Sequence, residues 1–189
     1  MLKRVGIALA VVLALGAGGA GLVRMMDQGA TSFRVDGSVL HMSGPISGAA
    51  ADRLVRLLEE NDALAALALG DIPGADDVNW VTGMGRLIRA AGLETRVEGQ
   101  VVNDAIFLFL GGASRSMAGG ALVLQSDAVQ RQAGVAVDQS TAAEGDRLRY
   151  VEAVLGSADF ANFMAETRAA QGDYILTEAD IARFGLTSN

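Results

Sequence analysis

The apolar pattern begins with an uninterrupted run from Val5 to Val23, preceded by Lys3 and Arg4 and closed by Arg24. Its 19 residues would span about 28 Å as a helix, close to the hydrocarbon thickness of a bilayer. After a short polar linker, "SFRVDGSVLHM" (32–42) alternates and carries β-formers, which predicts one or two strands with Asp36-Gly37 at a turn. In "AAADRLVRLLEEN" (49–61), Ala50, Leu54, Leu57 and Leu58 share one face with Arg and Glu opposite, the spacing of an amphipathic helix. "ALAALAL" (63–69) reads as a buried strand, and "GDIPGADD" (70–77) as a loop.

A second helix is predicted over "DVNWVTGMGRLIRAAGL" (77–93). Asp76 or Asp77 caps its start, Arg86 and Arg89 suit its C-terminal end, and Gly92 stops it. "LETRV" (93–97) and "ALVLQ" (121–125) read as strands. Residues 127–146 are polar and read as an exposed loop or weak helix. Three helices then close the chain, in "GDRLRYVEAVLG", "SADFANFMAETRAA" and "TEADIARFG". Alternating strands and helices imply parallel pairing with right-handed crossovers, an α/β fold.

The positive lead before the first apolar run places the N-terminus in the cytoplasm and the body across the membrane. Residues 1–24 are therefore expected to be a signal anchor or a signal peptide, followed by a linker at 25–32 and one domain at 33–189. Gly18-Gly19-Ala20 offers a cleavage site after Ala20, while the apolar run continuing to Val23 favours an uncleaved anchor. The small pairs Gly16/Ala20 and Ala17/Gly21 sit at a spacing that packs two such helices. In a bacterium the body then faces the periplasm.

The net charge of −7 becomes −9 once Lys3 and Arg4 are removed with residues 1–23, so a nucleic-acid partner is not expected. The chain has no cysteine, one histidine (His41) and one lysine (Lys3). A disulfide framework, a thiol nucleophile and a cysteine metal site are excluded. A serine nucleophile lacks the usual His or Lys base, because Lys3 lies in the export segment. Neither a metal nor a cofactor is expected.

Chemistry concentrates around "GQVVNDAIFLFLGG" (99–112), where Asn103 and Asp104 open a long apolar run. Both residue types cap helices, and a carboxylate suits a helix N-terminus. Capping is the simplest expectation for the pair.

Four stretches, in this order, resemble the Clp protease proteolytic subunit and the wider Clp/crotonase superfamily: "GPIS" (44–47), "GDIPGADDVNWVTGMGRLIRAAGLET" (70–95), "NDAIFLFLGGASR" (103–115) and "GDYILTEADIARFGLTS" (172–188). The resemblance is strongest to periplasmic, membrane-targeted Clp-protease-like proteins of proteobacteria. It implies a repeated β-β-α superhelix with mostly parallel strands, and a homo-oligomer. It also implies a Ser-His-Asp triad, from which this chain departs. Asn103 stands at the nucleophile position, Ser126 (or Gln125, one residue earlier) at the histidine position, and Asp173 at the aspartate position. The oxyanion loop is partly kept at Pro73-Gly74, with Ala75 where a second glycine is expected. Backbone N–H groups of Gly74 and Asp104 would form an oxyanion-like pocket.

The reading that follows is a membrane-anchored, non-catalytic domain that binds an unknown protein or peptide partner. The alternative is a hydrolase or lyase using Asp71, Asp104 and Asp173 as acid/base groups. Acyl-CoA chemistry is a poor third, because that cofactor is not expected outside the cytoplasm. Ser114 and Ser116 are expected in a turn without a base. Trp80 and Met84, four apart, are expected in the core or a subunit contact. Arg147 and Arg149 suit either surface charges or interface anchors.

Overall fold

The computed structural model describes residues 30–132, 140–170 and 172–188. The expected membrane segment at 5–23 lies outside them. Among the described residues no helix is long and apolar enough to cross a membrane.

Strand β1 (Ser32–Asp36) turns at Asp36-Gly37 into antiparallel β2 (Val39–Ser43). Three further strands join in parallel: β3 (Ala66–Leu69), β4 (Glu94–Val97) and β6 (Arg115–Met117). The sheet order is β1-β2-β3-β4-β6. All four residues of β3 are buried. This explains why its alanine-rich run shows no alternation: both of its faces are covered.

A second, smaller sheet contains β5 (Gln100–Val102), β7 (Ala121–Leu124) and β8 (Tyr174–Ile175), in the order β5-β7-β8. β5 and β7 are parallel and β8 is antiparallel. Single-residue parallel bridges Ile72–Val101 and Ile46–Ala75 continue this layer past β5. Each passage therefore runs from a strand of the large sheet, through a short piece of the small sheet, into a helix. Those helices are α1 (Gly48–Glu60), α2 (Val78–Ala90), α3 (Ile106–Leu110) and α4 (Asp127–Gln132). This is the expected β-β-α repeat.

Helices α5 (Thr141–Leu155), α6 (Asp159–Ala169) and α7 (Glu178–Arg183) follow. Asp77 caps α2 by accepting from the Asn79 N–H at 2.7 Å, and Gly92 leaves it with φ +70°. Residues 127–132 correct one expectation. The helix alternative holds for them, but Asp127 and Gln130 are buried and not exposed, so polar composition there marks an internal polar face. Ser116 lies in β6 and not in a turn. β5, β6 and β8 span two or three residues each, too short for a periodicity to register.

Helix α3 is the centre of the core, with all five of its residues fully buried. It approaches α2 so closely that a Cβ on Gly111 would fall 2.5 Å from the Gly85 carbonyl oxygen. Tyr150 of α5 reaches the same place and donates to the Phe107 carbonyl at 2.8 Å.

Burial pushes the Tyr150 phenol up to about 12. The unfolded chain loses this proton near pH 10 and the folded one retains it, so stability falls as pH rises through that interval. Alkaline unfolding from pH 10 to 12 should lose about 2 kcal/mol more in the native protein than in Tyr150→Phe. Urea midpoints across that range provide the check.

Candidate functional site

The chain leaves β5 at Val102 and enters α3 through a tight 3₁₀ turn, Asn103–Ala105. Asn103 has φ +52°, the only positive φ among the described non-glycine residues. Asparagine tolerates this left-handed conformation better than most side chains. The sharp strand-to-helix turn is the architecture of a nucleophile elbow.

The side chain at its tip is occupied. Asn103 Nδ2 donates to the Gln125 carbonyl at 3.2 Å, and the Gln125 N–H donates to Asn103 Oδ1 at 2.9 Å. Gln125 immediately follows β7, the parallel partner of β5. The buried amide thus acts as a further rung of the β5–β7 ladder, made by a side chain where the backbone has already turned away.

Capping, the expectation for this pair, is corrected here. Val102 occupies the cap position, and no side chain hydrogen-bonds the turn's first N–H groups. Asp104 is drawn instead to two arginines. Arg147 Nη2 donates to Asp104 Oδ2 at 2.8 Å and its Nε to Oδ1 at 3.1 Å, while Arg168 Nη1 reaches Oδ1 at 3.4 Å. Arg168 also pairs with Asp127 at 3.0 Å, and Arg147 with Glu144 at 3.0 Å. Both arginine side chains are 7% exposed and Asp104 is 15% exposed, so this network is largely withdrawn from water.

Gly74, Asn103, Asp104, Gln130, Arg147 and Arg168, with Ala75, Asp76, Asp77 and Val78, line one small solvent-open cleft. The two proposed oxyanion-loop residues, Gly74 and Asp104, are therefore brought together beside Asn103. The Gly74 carbonyl accepts from the Ile46 N–H at 3.0 Å, which ties this loop to the "GPIS" segment.

The other expected positions do not line the cleft. Ser126 is fully buried, and its hydroxyl accepts from the Val129 N–H at 3.3 Å, which caps α4. Asp173 is exposed and lies one step before the Leu124–Tyr174 pair, at the same end of the small sheet as Gln125. Asp71 is exposed and accepts from the Gln100 N–H at 2.9 Å, outside the cleft. The three carboxylates of the alternative reading therefore do not converge, and only Asp104 reaches the cleft. His41 sits on β2, with Nδ1 3.5 Å from Glu98 Oε2, and does not line the cleft. Among the described residues no three His, Asp or Glu side chains group in a way that could hold a metal.

Arg168 carries no family motif, and Arg147 reads equally as surface or interface. One signal was available for both. Phe160, Ala161, Met164 and Arg168 form a single helical stripe, as do Ala143, Arg147, Tyr150 and Val151. An arginine continuing an apolar stripe points inward and needs a buried carboxylate.

The two-layer β-β-α repeat and the elbow between β5 and α3 define the fold of the Clp protease/crotonase superfamily. Solved structures share it. ClpP1 from Listeria monocytogenes matches with a TM-score of 0.56 at 13% identity, over 79% of this chain and 88% of that one. An enoyl-CoA hydratase from Bacillus halodurans matches with a TM-score of 0.51 at 10% identity, over 83% of this chain and 71% of that one. A peptidase from Plasmodium falciparum matches with a TM-score of 0.54 at 13% identity, over 80% and 94%. No family model matches the chain, and no curated protein matches it by sequence.

Proposed function

We propose that this is a non-catalytic Clp/crotonase-fold domain that works by binding a protein or peptide. Residues 5–23 hold it at the bacterial inner membrane, with the body in the periplasm, and the chain self-associates. One observation carries the non-catalytic reading: both polar atoms of Asn103, at the nucleophile position, are spent on the Gln125 backbone. The surroundings agree with it. The residue at the base position, Ser126, is buried as a helix cap, and His41 is paired elsewhere. A nucleophile needs a base within hydrogen-bond reach, and a serine placed at 103 would have none. The polar cleft beside Asn103 and Asp104 is the proposed binding surface.

The full-length chain, in membranes, should give no site-specific adduct with a fluorophosphonate probe. It should also show no turnover of a mixed peptide and ester library, read by mass spectrometry. Turnover that disappears in Asp104→Asn would replace this reading with a carboxylate enzyme.

A further inference from the structure

The two guanidinium groups in the cleft are already committed. Nε and Nη2 of Arg147 donate to Asp104, and its Nη1 donates to Glu144. Nε and Nη2 of Arg168 reach Asp127, and its Nη1 reaches Asp104. Every guanidinium nitrogen thus faces a carboxylate oxygen, and three carboxylates share two cations. The other charged groups of the lining, Asp76 and Asp77, are both acidic. Asp76 is exposed, and its carboxylate has no partner among the described residues; only its backbone N–H is tied, to the Ile46 carbonyl at 3.0 Å. Asp77 uses one oxygen, Oδ1, to accept from the Asn79 N–H and Nδ2, and its Oδ2 is left over.

A second observation is independent of charge. Gln130 of α4 lines the same cleft and is only 6% exposed, yet its side-chain amide has no hydrogen-bond partner among the described residues. Buried amides are ordinarily paired, and an unpaired one costs stability. Among the described residues no fully enclosed side-chain polar atom lacks a partner, so the Gln130 amide opens onto the cleft and not into the core. Folding alone does not account for an amide kept there.

We propose that the cleft binds a primary ammonium group, from a lysine side chain or from the amino terminus of a peptide, with Asp76, Asp77 and the Gln130 carbonyl as its acceptors. An ammonium carries three donors and no acceptor, the complement of what the lining leaves unused. An anion would meet unpaired carboxylates and two cations that are already neutralised. The cleft is small and open to solvent, so it takes the end of a chain or side chain and leaves the rest of the peptide outside. This inference rests on the peptide-binding function proposed above and names the group that the cleft recognises.

Calorimetric titration of the full-length chain in nanodiscs tests it with three short alanine-based peptides. One is blocked at both ends and carries a lysine, one has a free amino terminus and no lysine, and one is blocked and carries a glutamate. At least one of the first two should bind about tenfold more tightly than the glutamate peptide, and which of them does so identifies the source of the ammonium. Gln130→Leu and Asp76→Asn should each weaken that binding about tenfold, the loss of one hydrogen bond to a charged group. Asp71→Asn, outside the cleft, should leave it unchanged. Gln130→Leu should also keep or raise the urea midpoint, because it removes a buried amide that no protein group satisfies; a lowered midpoint would make Gln130 a structural residue and overturn its role as an acceptor. Glutamate peptide bound as tightly as the other two, with Gln130→Leu weakening all three, would overturn the ammonium and leave the cleft as a peptide site. No binding of any peptide, or binding untouched by both cleft variants, would overturn the cleft as well.

Discussion

Replacing Asn103 by alanine is expected to cost about 4 kcal/mol of folding stability, the largest single-residue effect at the site. Two losses add. The Gln125 N–H and carbonyl lose the Asn103 amide in a partly buried setting, each costing on the order of 1–3 kcal/mol. Alanine must also hold the φ of +52° that asparagine tolerates, which costs about 1 kcal/mol more. For a domain of this size the melting temperature should fall by about 10 °C. Asn103→Gly separates the two terms: it frees the backbone but still strips Gln125, so it should recover about 1 kcal/mol relative to alanine. If both variants melted with the native protein, the amide would not be part of the ladder. Asn103→Ser should be destabilised as well, and should gain no reactivity towards the fluorophosphonate probe.

Asp104→Ala is the second large effect. It removes the carboxylate shared by two guanidinium groups whose side chains are 7% exposed. Breaking a buried ion network from one side leaves charge uncompensated, which typically costs 3–5 kcal/mol. Arg147 keeps Glu144 and Arg168 keeps Asp127, so a value of about 3 kcal/mol is expected here. Asp104→Asn retains two acceptor lone pairs and the shape, and should lose about half as much. Urea titration is the measurement, with the midpoint falling and the slope unchanged. A slope that changes would mean that α5 and α6 detach before the rest unfolds. An Asp104→Ala domain as stable as the native one would show that the network is replaced by water.

The larger architecture was legible in the sequence because its elements repeat a strong pattern. Helix α1 shows its apolar face, β1 and β2 show their Asp-Gly turn, and α2 shows both of its caps. The resemblance in "NDAIFLFLGGASR" and its companion stretches pointed to the strand-to-helix turn at Asn103, and Gly74 and Asp104 both line the cleft beside it. Asn103, however, was misread in its role. Its neighbours in sequence suggest a cap, whereas its actual partner, Gln125, is 22 residues away. Only the parallel register of β5 with β7 brings them together. Asp104 was misread for the same reason, since Arg147 lies 43 residues on and Arg168 64. Local pattern reports which face of a helix is wet, and it says nothing of which distant charge will be found there. Asp71 was grouped with Asp104 by residue type and Asp173 by its motif position, and neither lines the cleft that Asp104 reaches.

The end of the described chain has a consequence for the order in which the domain is completed. The Arg115 N–H of β6 donates to Ser188 Oγ at 2.7 Å, its guanidinium Nε donates to the Leu186 carbonyl at 2.7 Å, and the Ser188 N–H returns to the Arg115 carbonyl at 3.1 Å. Residues 185–188 thus seal an edge of the large sheet that was synthesised some 70 residues earlier. While the chain is still emerging, that edge stays open and the Arg115 guanidinium stays wet. Closure waits for residue 188. A strand edge left open until the last residues are made keeps every earlier stage of folding incomplete and more readily reversed.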